Sequence, residues 1–313
     1  MRLGRFALVF AAVMAVLVAV PFYFPQRYII HICVMTALFV TLGLSMNLML
    51  RTGLVSLAHS AFMAIGSYTS ALCMMRLGWP FSVSFLASGL MVALLALVSG
   101  PIFLRIKGVY FILLTYALSQ VVMLNFMEWV SLFGGNSGLS DIPRPVLFGM
   151  VFNTARQFYW MALALAGVSF LVARTIYRSA LGTIIDAIKE EERLASSLGL
   201  NAMGFRVLIF CISGFIAGLS GSVYAHYMTF LSPEAFTGVM IDVILINVFG
   251  GAASPIGPVL GAIILIPLPE LLRDAQEYQI LAYGILLIAL QLFLPEGLIG
   301  LCRRILSARW RRS

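Results

Sequence analysis

The side chains best placed to do chemistry in this chain are a few polar groups inside long apolar runs. They are Asn47, Ser56, His59, Thr115, Gln120, Asp242 and Asn247. A charge inside lipid costs at least about 2.5 kcal/mol on insertion scales, so such residues usually mark a solute route or a bond between helices. Asp242 is the only acid well inside an apolar run, and either role is open to it.

Enzymatic chemistry has little support in the residue pattern. The phosphate-binding sequence Gly-x-x-x-x-Gly-Lys-Ser/Thr is absent, and so are the spacings of a Ser/His/Asp triad or a zinc site. His59 has no second His or Cys at helical spacing, and the four cysteines are scattered through apolar runs. We therefore predict no catalytic residue, no metal and no cofactor, and the energy for any transport must come from a partner protein or an ion gradient.

The composition indicates which elements position these polar groups. Hydrophobic residues make up 62% of the 313 positions and charged residues only 10%, against roughly a quarter charged in soluble domains. A helix needs about 20 apolar residues to cross a bilayer. We therefore predict an all-α, polytopic transmembrane helix bundle that forms one domain over 1–313. The apolar runs predict about ten spans, at 6–24, 28–50, 53–75, 81–104, 109–130, 157–177, 205–231, 236–250, 255–272 and 279–300.

The basic residues predict the orientation of these spans. With the N-terminus inside, 15 of the 20 Lys and Arg residues fall in inside loops and tails and 5 fall outside, as the positive-inside rule requires. Both termini are then cytoplasmic. The Gly- and Pro-rich segment 131–156 becomes an irregular periplasmic loop, and 179–204 becomes a cytoplasmic segment. The net charge of +8 thus reflects membrane topology, and we expect no nucleic-acid partner.

The cytoplasmic segment 179–204 predicts a short amphipathic helix. Leu181, Ile184, Ile185 and Ile188 follow the i, i+3, i+4, i+7 pattern, and a charged stretch comes next. Gly199 is expected to end this helix. Composition alone leaves two roles open, since the helix could cover its own bundle or receive a partner.

Two glycine-containing stretches interrupt the helical pattern. One runs from Gly53 to Ser56, and the other from Gly250 through Gly251 to Ser254. Broken helices at membrane depth are tolerated only where protein or water covers the backbone, and in transporters they mark the solute route. The predicted translocation route therefore comprises Asn47, Gly53, Ser56, His59, Asp242, Asn247, Gly251 and Ser254.

Three stretches resemble the permeases of high-affinity branched-chain amino acid ABC importers, the LivH/LivM family and its LivM type in particular. They are Gly53–Tyr68, Ser179–Asn201 running into Ala217–His226, and Val248–Ala262. Their order and spacing cover about 50–265, most of the chain. Ala58 stands where the family usually has Gly, and Pro255-Ile256 replace a bulkier pair. These departures bear on the substrate more than on family membership.

The resemblance implies a function and a set of partners. The helix in 179–204 would be the coupling helix that docks on an ATPase subunit, with contact positions Gly182, Ala187, Ile188, Ala195, Leu198 and Gly199. The implied assembly lies in the bacterial inner membrane and has a second homologous permease, two ATP-binding cassette subunits and a periplasmic solute-binding protein. It would import branched-chain or similar small apolar amino acids by alternating access.

Two alternatives stay open at this point. Other members of the same family could carry urea, short amides or another solute. An ion-coupled secondary carrier with Asp242 as its coupling group would need no ATPase.

Overall fold

The computed structural model describes residues 26–147 and 149–272, and beyond them only 278, 281, 284, 285, 288, 292 and 297–300. Its α-helices are α1 (Arg27–Arg51), α2 (His59–Leu77), α3 (Phe81–Phe103), α4 (Val109–Glu128), α5 (Val130–Phe133), α6 (Ala155–Arg178), α7 (Ala180–Glu190), α8 (Glu192–Ser197), α9 (Ala202–Met228), α10 (Val239–Gly250), α11 (Ile256–Leu265) and α12 (Leu268–Leu271). Two 3-10 turns lie at Gly135–Ser137 and Pro233–Phe236. Within these residues the strands are limited to a hairpin of Val146–Leu147 and Met150–Val151.

The predicted class of polytopic helical membrane protein is confirmed. Six helical segments of the described chain are long and apolar enough to cross a membrane: α1, α3, α4, α6, α9, and Pro233–Gly250, which contains α10. The 19-residue α2 and the shorter pair α11 and α12 occupy the remaining apolar runs between 28 and 272. The predicted first span, 6–24, and most of the predicted last one, 279–300, lie outside the described residues.

Helix α9 is at the centre of the bundle and packs on α1, α2 and α3. Small residues let these backbones approach closely, as is common in membranes. A Cβ on Gly66 would lie 2.3 Å from the carbonyl oxygen of Gly218, and one on Gly221 would lie 2.0 Å from that of Met63. The Ser67 hydroxyl donates to the Gly221 carbonyl at 2.8 Å. These contacts fix α2 against α9.

The outer faces of α3 and α4 are apolar. Leu90, Leu94 and Val98 on α3, and Leu113 and Leu124 on α4, are all more than half exposed. A soluble protein rarely exposes so continuous an apolar surface. Contact with lipid accounts for it.

Both predicted helix interruptions are present. Helix α1 ends at Arg51 and α2 begins only at His59, so the span predicted to start at residue 53 starts six residues later. Helix α10 ends at Gly250 and α11 begins at Ile256. Gly53 (φ +84°) and Gly251 (φ +102°) turn the chain in conformations that L side chains rarely adopt.

Candidate functional site

The two interruptions lie against each other. Asn47 is in the last turns of α1 and Asn247 is in the last turn of α10, and both are fully buried. The Asn47 amide donates to the Asn247 side-chain oxygen and to the Ala252 carbonyl, each at 3.1 Å. The Asn247 amide donates to the carbonyls of Gly43 (3.1 Å) and Val243 (2.9 Å). The structure thus brings these two predicted route residues together. Their hydrogen bonds join the C-terminal ends of α1 and α10, where the two interruptions begin.

A second set of contacts runs from this asparagine pair to α7. The Tyr177 hydroxyl, near the end of α6, donates to the Asn47 side-chain oxygen at 2.7 Å. The Arg51 guanidinium lies over the Tyr177 ring, 4.0 Å from its centroid. Arg51 also donates to both Asp186 oxygens, from Nε at 2.7 Å and from Nη2 at 2.6 Å. A two-pronged arginine–carboxylate pair fixes orientation as well as distance.

Helix α7 lies directly on the first interruption. A Cβ on Gly182 would be 2.3 Å from the Ile176 carbonyl oxygen and 2.8 Å from Arg51 Nη1, so no larger residue fits there without a shift. On the other side, Lys189 Cγ lies 3.2 Å from the position of a Cβ on Gly53. Helix α7 is therefore in direct contact with the end of α1 and with the turn that follows it.

Charge pairs stabilise the two helices of the 179–204 segment. Hydrogen bonds from Arg51 lower the pKa of the Asp186 carboxyl, which is about half exposed. Glu192 at the start of α8 pairs with Lys107 and, at 3.0 Å, with the buried Arg206. Burial acts to raise the pKa of the Glu192 carboxyl, but the bonds from Lys107 and Arg206 outweigh it and the pKa is lowered.

The predicted amphipathic helix is confirmed, in two parts. The chain turns at Glu191, between α7 and α8, and Gly199 (φ +85°) follows the end of α8. The six predicted contact positions form two groups, one exposed and one buried. Ala187, Leu198 and Gly199 face outward, with Leu198 75% exposed. Gly182, Ile188 and Ala195 are buried by the chain's own residues.

His59 and Ser56 lie at the start of α2. His59 Nδ1 is 3.2 Å from the Ser56 carbonyl oxygen, and His59 Nε2 is 2.7 Å from the Ser213 hydroxyl. Because a carbonyl only accepts, Nδ1 carries the proton and Nε2 accepts from Ser213. The Ser45 hydroxyl donates to the Ser213 carbonyl at 3.0 Å. The imidazole thus joins α2 to α9.

The remaining predicted route residues are distributed along α10 and the second interruption. Asp242 lies in the first turn of α10, near the middle of the membrane-long segment Pro233–Gly250. Its carboxylate is partly buried, and no hydrogen bond or ion pair to it occurs in the described residues. Ser254 Oγ accepts from the N–H of Ile256, the first residue of α11, at 3.4 Å. Gly251 makes the turn between the two helices.

Three residues of this network were not predicted: Arg51, Tyr177 and Asp186. Their sequence signals are weak, because Arg51 and Tyr177 sit at helix ends where basic and aromatic residues are common, and Asp186 is one of several charged residues in the 179–204 segment. The best available signal is the position of Arg51 two residues before a glycine interruption. Among the described residues, no group of three His, Cys, Asp or Glu side chains could hold a metal ion.

A bundle of apolar helices with two interruptions joined by buried asparagines is the architecture of a polytopic membrane protein and is typical of transporters. The comparisons with known proteins identify the family to which the chain belongs. The family model described as the permease component of branched-chain amino acid transport systems matches residues 28–293. The chain belongs to this family, so it is a transport subunit and not itself an enzyme.

Two relatives illustrate the range of the family. The chain is 32% identical to the high-affinity branched-chain amino acid transport system permease protein LivM of Escherichia coli K12, over 93% of this chain and 74% of that protein. It is 25% identical to the autoinducer 2 import system permease protein LsrC of Salmonella typhi, over 76% of this chain and 70% of that protein. No solved structure matches the chain.

Proposed function

We propose that the chain is the membrane-spanning subunit of an ABC importer that moves branched-chain amino acids across the bacterial inner membrane by alternating access. Its partners would be a second homologous permease, two ATP-binding cassette subunits and a periplasmic solute-binding protein. The likeness to LivM supports the solute class. The likeness to LsrC shows that relatives named for a different solute share this framework.

The observation on which this function rests is the junction between α7 and the first interruption. An ABC permease must convert movement of a partner ATPase into movement of its helices. Asp186 on α7 is joined to Arg51, Arg51 packs on Tyr177, and Tyr177 bonds to Asn47 between the two interruptions. A partner that moves α7 and α8 would therefore act on both broken segments through one set of contacts.

The topology belongs to the same proposal. Ten spans with both termini in the cytosol would place 131–156 in the periplasm and 179–204 in the cytosol. The basic-residue bias supports this orientation. It would put the outward-facing Ala187, Leu198 and Gly199 where an ATPase can bind them. The buried Gly182, Ile188 and Ala195 would then support the docking surface from within.

The solute route would pass between the interrupted segments. Its residues would be the Asn47–Asn247 pair, the turns at Gly53 and Gly251, and the neighbouring Ser56, His59, Asp242 and Ser254. Because Asn47 and Asn247 are bonded to each other across the two segments in this structure, the route would open only when the two segments separate. Selection of the solute would rest mainly on the binding protein.

Uptake of radiolabelled leucine by proteoliposomes containing the complete importer tests this function. We expect uptake that needs ATP and the binding protein, with isoleucine and valine competing better than urea or short amides. Uptake that continues without the ATPase subunits and follows a proton or sodium gradient would contradict it and favour an ion-coupled carrier using Asp242.

The docking surface has a matched pair of variants. Gly199 and Gly149 both have positive φ (+85° and +77°), and a Cβ at either position would meet nothing within 4 Å. We expect Gly199→Trp to abolish ATP-driven uptake, since it places a large ring on the ATPase face. Gly149→Trp, in the proposed periplasmic loop, should leave uptake near normal. Equal uptake by the two variants would contradict docking at Gly199.

A further inference from the structure

Gln120 is a polar side chain near the middle of α4, one of the membrane-long helices. It is partly exposed, and it makes no hydrogen bond to any residue that the structure describes. It lies more than two helical turns from both ends of α4, too far for its amide to reach the polar surface of a bilayer. Hydrocarbon offers no hydrogen-bond partner, so the amide needs one from another helix.

Two other polar side chains of α4 at this depth have partners within their own chain. The Leu57 N–H donates to the Thr115 hydroxyl at 3.0 Å, and the Ser119 hydroxyl donates to the Leu57 carbonyl at 2.9 Å. These bonds hold one face of α4 on the segment that precedes α2. The buried face of α4 comprises Phe111, Thr115, Ser119, Met123 and Phe126. Gln120 is not part of it.

Gln120 belongs to an exposed stripe on the far side of α4. Leu113, Ala117 and Leu124 are exposed, and with Gln120 they are spaced four, three and four residues apart. These four residues form the α4 stripe. At about 100° per residue they lie within about 60° of arc, and their centre is about 150° around the helix from the centre of the buried face. Lipid covers leucine and alanine well, but it does not bond to the amide among them.

The α4 stripe has the pattern by which two helices pack side by side. Alternating spacings of four and three residues give a continuous seam for a second helix, and one polar residue within such a seam fixes its register. Ala117 allows the two backbones to approach closely. Among the six membrane-long segments of the described chain, α4 is the least buried. The predicted first span, 6–24, does not suit the amide, because Tyr23, at its end, is its only hydroxyl or amide side chain.

We propose that the second permease subunit of the importer packs on the α4 stripe, with the Gln120 amide hydrogen-bonded across the interface. The proposal rests on the proposed function, which supplies the second permease. A homologous subunit has the same helices, so a two-fold arrangement would place its equivalent helix against α4. An amide both donates and accepts, so Gln120 can bond to an amide or hydroxyl at the corresponding position of that helix.

Site-specific photo-crosslinking in the complete importer tests where the second permease lies. A benzoylphenylalanine in place of Leu124 should give an adduct with the combined mass of the two permeases. The same group in place of Leu94, which is 56% exposed on α3, is the control and should give no such adduct. Equal yields at the two positions, an adduct of Leu124 with an ATPase subunit or with its own chain, or the absence of any protein adduct at Leu124 would overturn the proposal.

Fluorescence energy transfer between the two labelled permeases, diluted in lipid bilayers, tests the amide itself. Gln120→Leu should weaken their association about three- to tenfold, as expected for a hydrogen bond between membrane helices, whereas Gln120→Asn should keep most of it. The control is Asn125→Leu, because the Asn125 amide donates to the Val121 carbonyl of its own helix at 2.7 Å, and this variant should associate like the wild type. Unchanged association of Gln120→Leu, or an equal loss in Asn125→Leu, would contradict the role of the amide.

Both experiments measure contact between subunits and not transport. If the cross-link is absent while the importer still takes up leucine with ATP, the interface is wrong and the permease function stands. Loss of ATP-driven uptake in the unmodified importer would instead reject the proposed function.

Discussion

The pair between Arg51 and Asp186 allows the sharpest test of how α7 acts on the membrane helices. Asp186→Asn removes the charge with almost no change in shape. Shielded hydrogen bonds to charged groups contribute about 1.5–3 kcal/mol. Arg51 is 12% exposed but Asp186 is 49% exposed, and exposed ion pairs contribute about 0–1 kcal/mol. We therefore expect a coupling energy of about 1 kcal/mol.

That energy corresponds to about a fivefold change in the equilibrium between attached and detached α7. The assay is leucine transported per ATP hydrolysed, in proteoliposomes of the complete importer. Asp186→Asn and Arg51→Gln should each lower this ratio severalfold while ATP hydrolysis continues, because the ATPase surface itself is unchanged. The double variant should be little worse than either single variant, since both remove the same contact.

Glu190→Gln is the matched control. It removes one carboxylate from the same helix, and Glu190 is exposed with no ion pair among the described residues. Its transport ratio should match the wild type. If Asp186→Asn also transports leucine at the wild-type ratio, or if the two single effects add in the double variant, the junction does not transmit movement and the reasoning fails.

Three further predictions concern the packing around the site. Asn47→Ala leaves the buried hydrogen-bond partners of Asn47 unpaired, which costs about 1–3 kcal/mol. Thermal unfolding of this variant in detergent should therefore occur at a lower temperature than that of Asn125→Ala, a control at an exposed position. Equal unfolding temperatures would contradict this. Gly221→Ala should destabilise the folded protein by about 1–3 kcal/mol, because the new Cβ would lie 2.0 Å from a carbonyl oxygen of α2. Gly238→Ala is the control: its Cβ would meet nothing within 4 Å, so its unfolding temperature should match that of the wild type. The lowered pKa of Glu192 means that its pairs stabilise the fold above the unfolded pKa of about 4.3 and are lost as pH falls through the folded value. The melting difference between wild type and Glu192→Gln should thus be full at pH 7 and vanish in acid, and a difference that persists would be evidence against these pairs.

The helices and their interruptions could be predicted because each depends on local sequence. A run of about twenty apolar residues is stable in lipid as an α-helix, which satisfies its own backbone hydrogen bonds. Gly53 and Gly251 mark positions where the backbone needs a positive φ. The start of α2 at His59 was missed, since Leu54–Ala58 are as apolar as a helix. Packing of this segment against its neighbours, which the sequence does not record, decides its conformation.

The side-chain partners at the site could not be predicted. Asn47 and Asn247 were recognised as unusual, but the bond between them joins residues 200 positions apart. Their pairing depends on how α1 and α10 meet. The division of the proposed docking residues into exposed and buried sets has the same cause: the face of α7 that packs on Arg51 and α9 is fixed only when those helices assemble.

The location of the α7–α8 segment is the central claim, and cysteine labelling measures it directly. In a chain whose four cysteines are replaced, Leu198→Cys should react with a membrane-impermeant maleimide in inverted vesicles, resist it in intact spheroplasts, and be protected when ATPase subunits bind. Met150→Cys, 60% exposed in the native chain and in the proposed periplasmic loop, should show the opposite sidedness. Labelling of Leu198→Cys in intact spheroplasts would contradict the account.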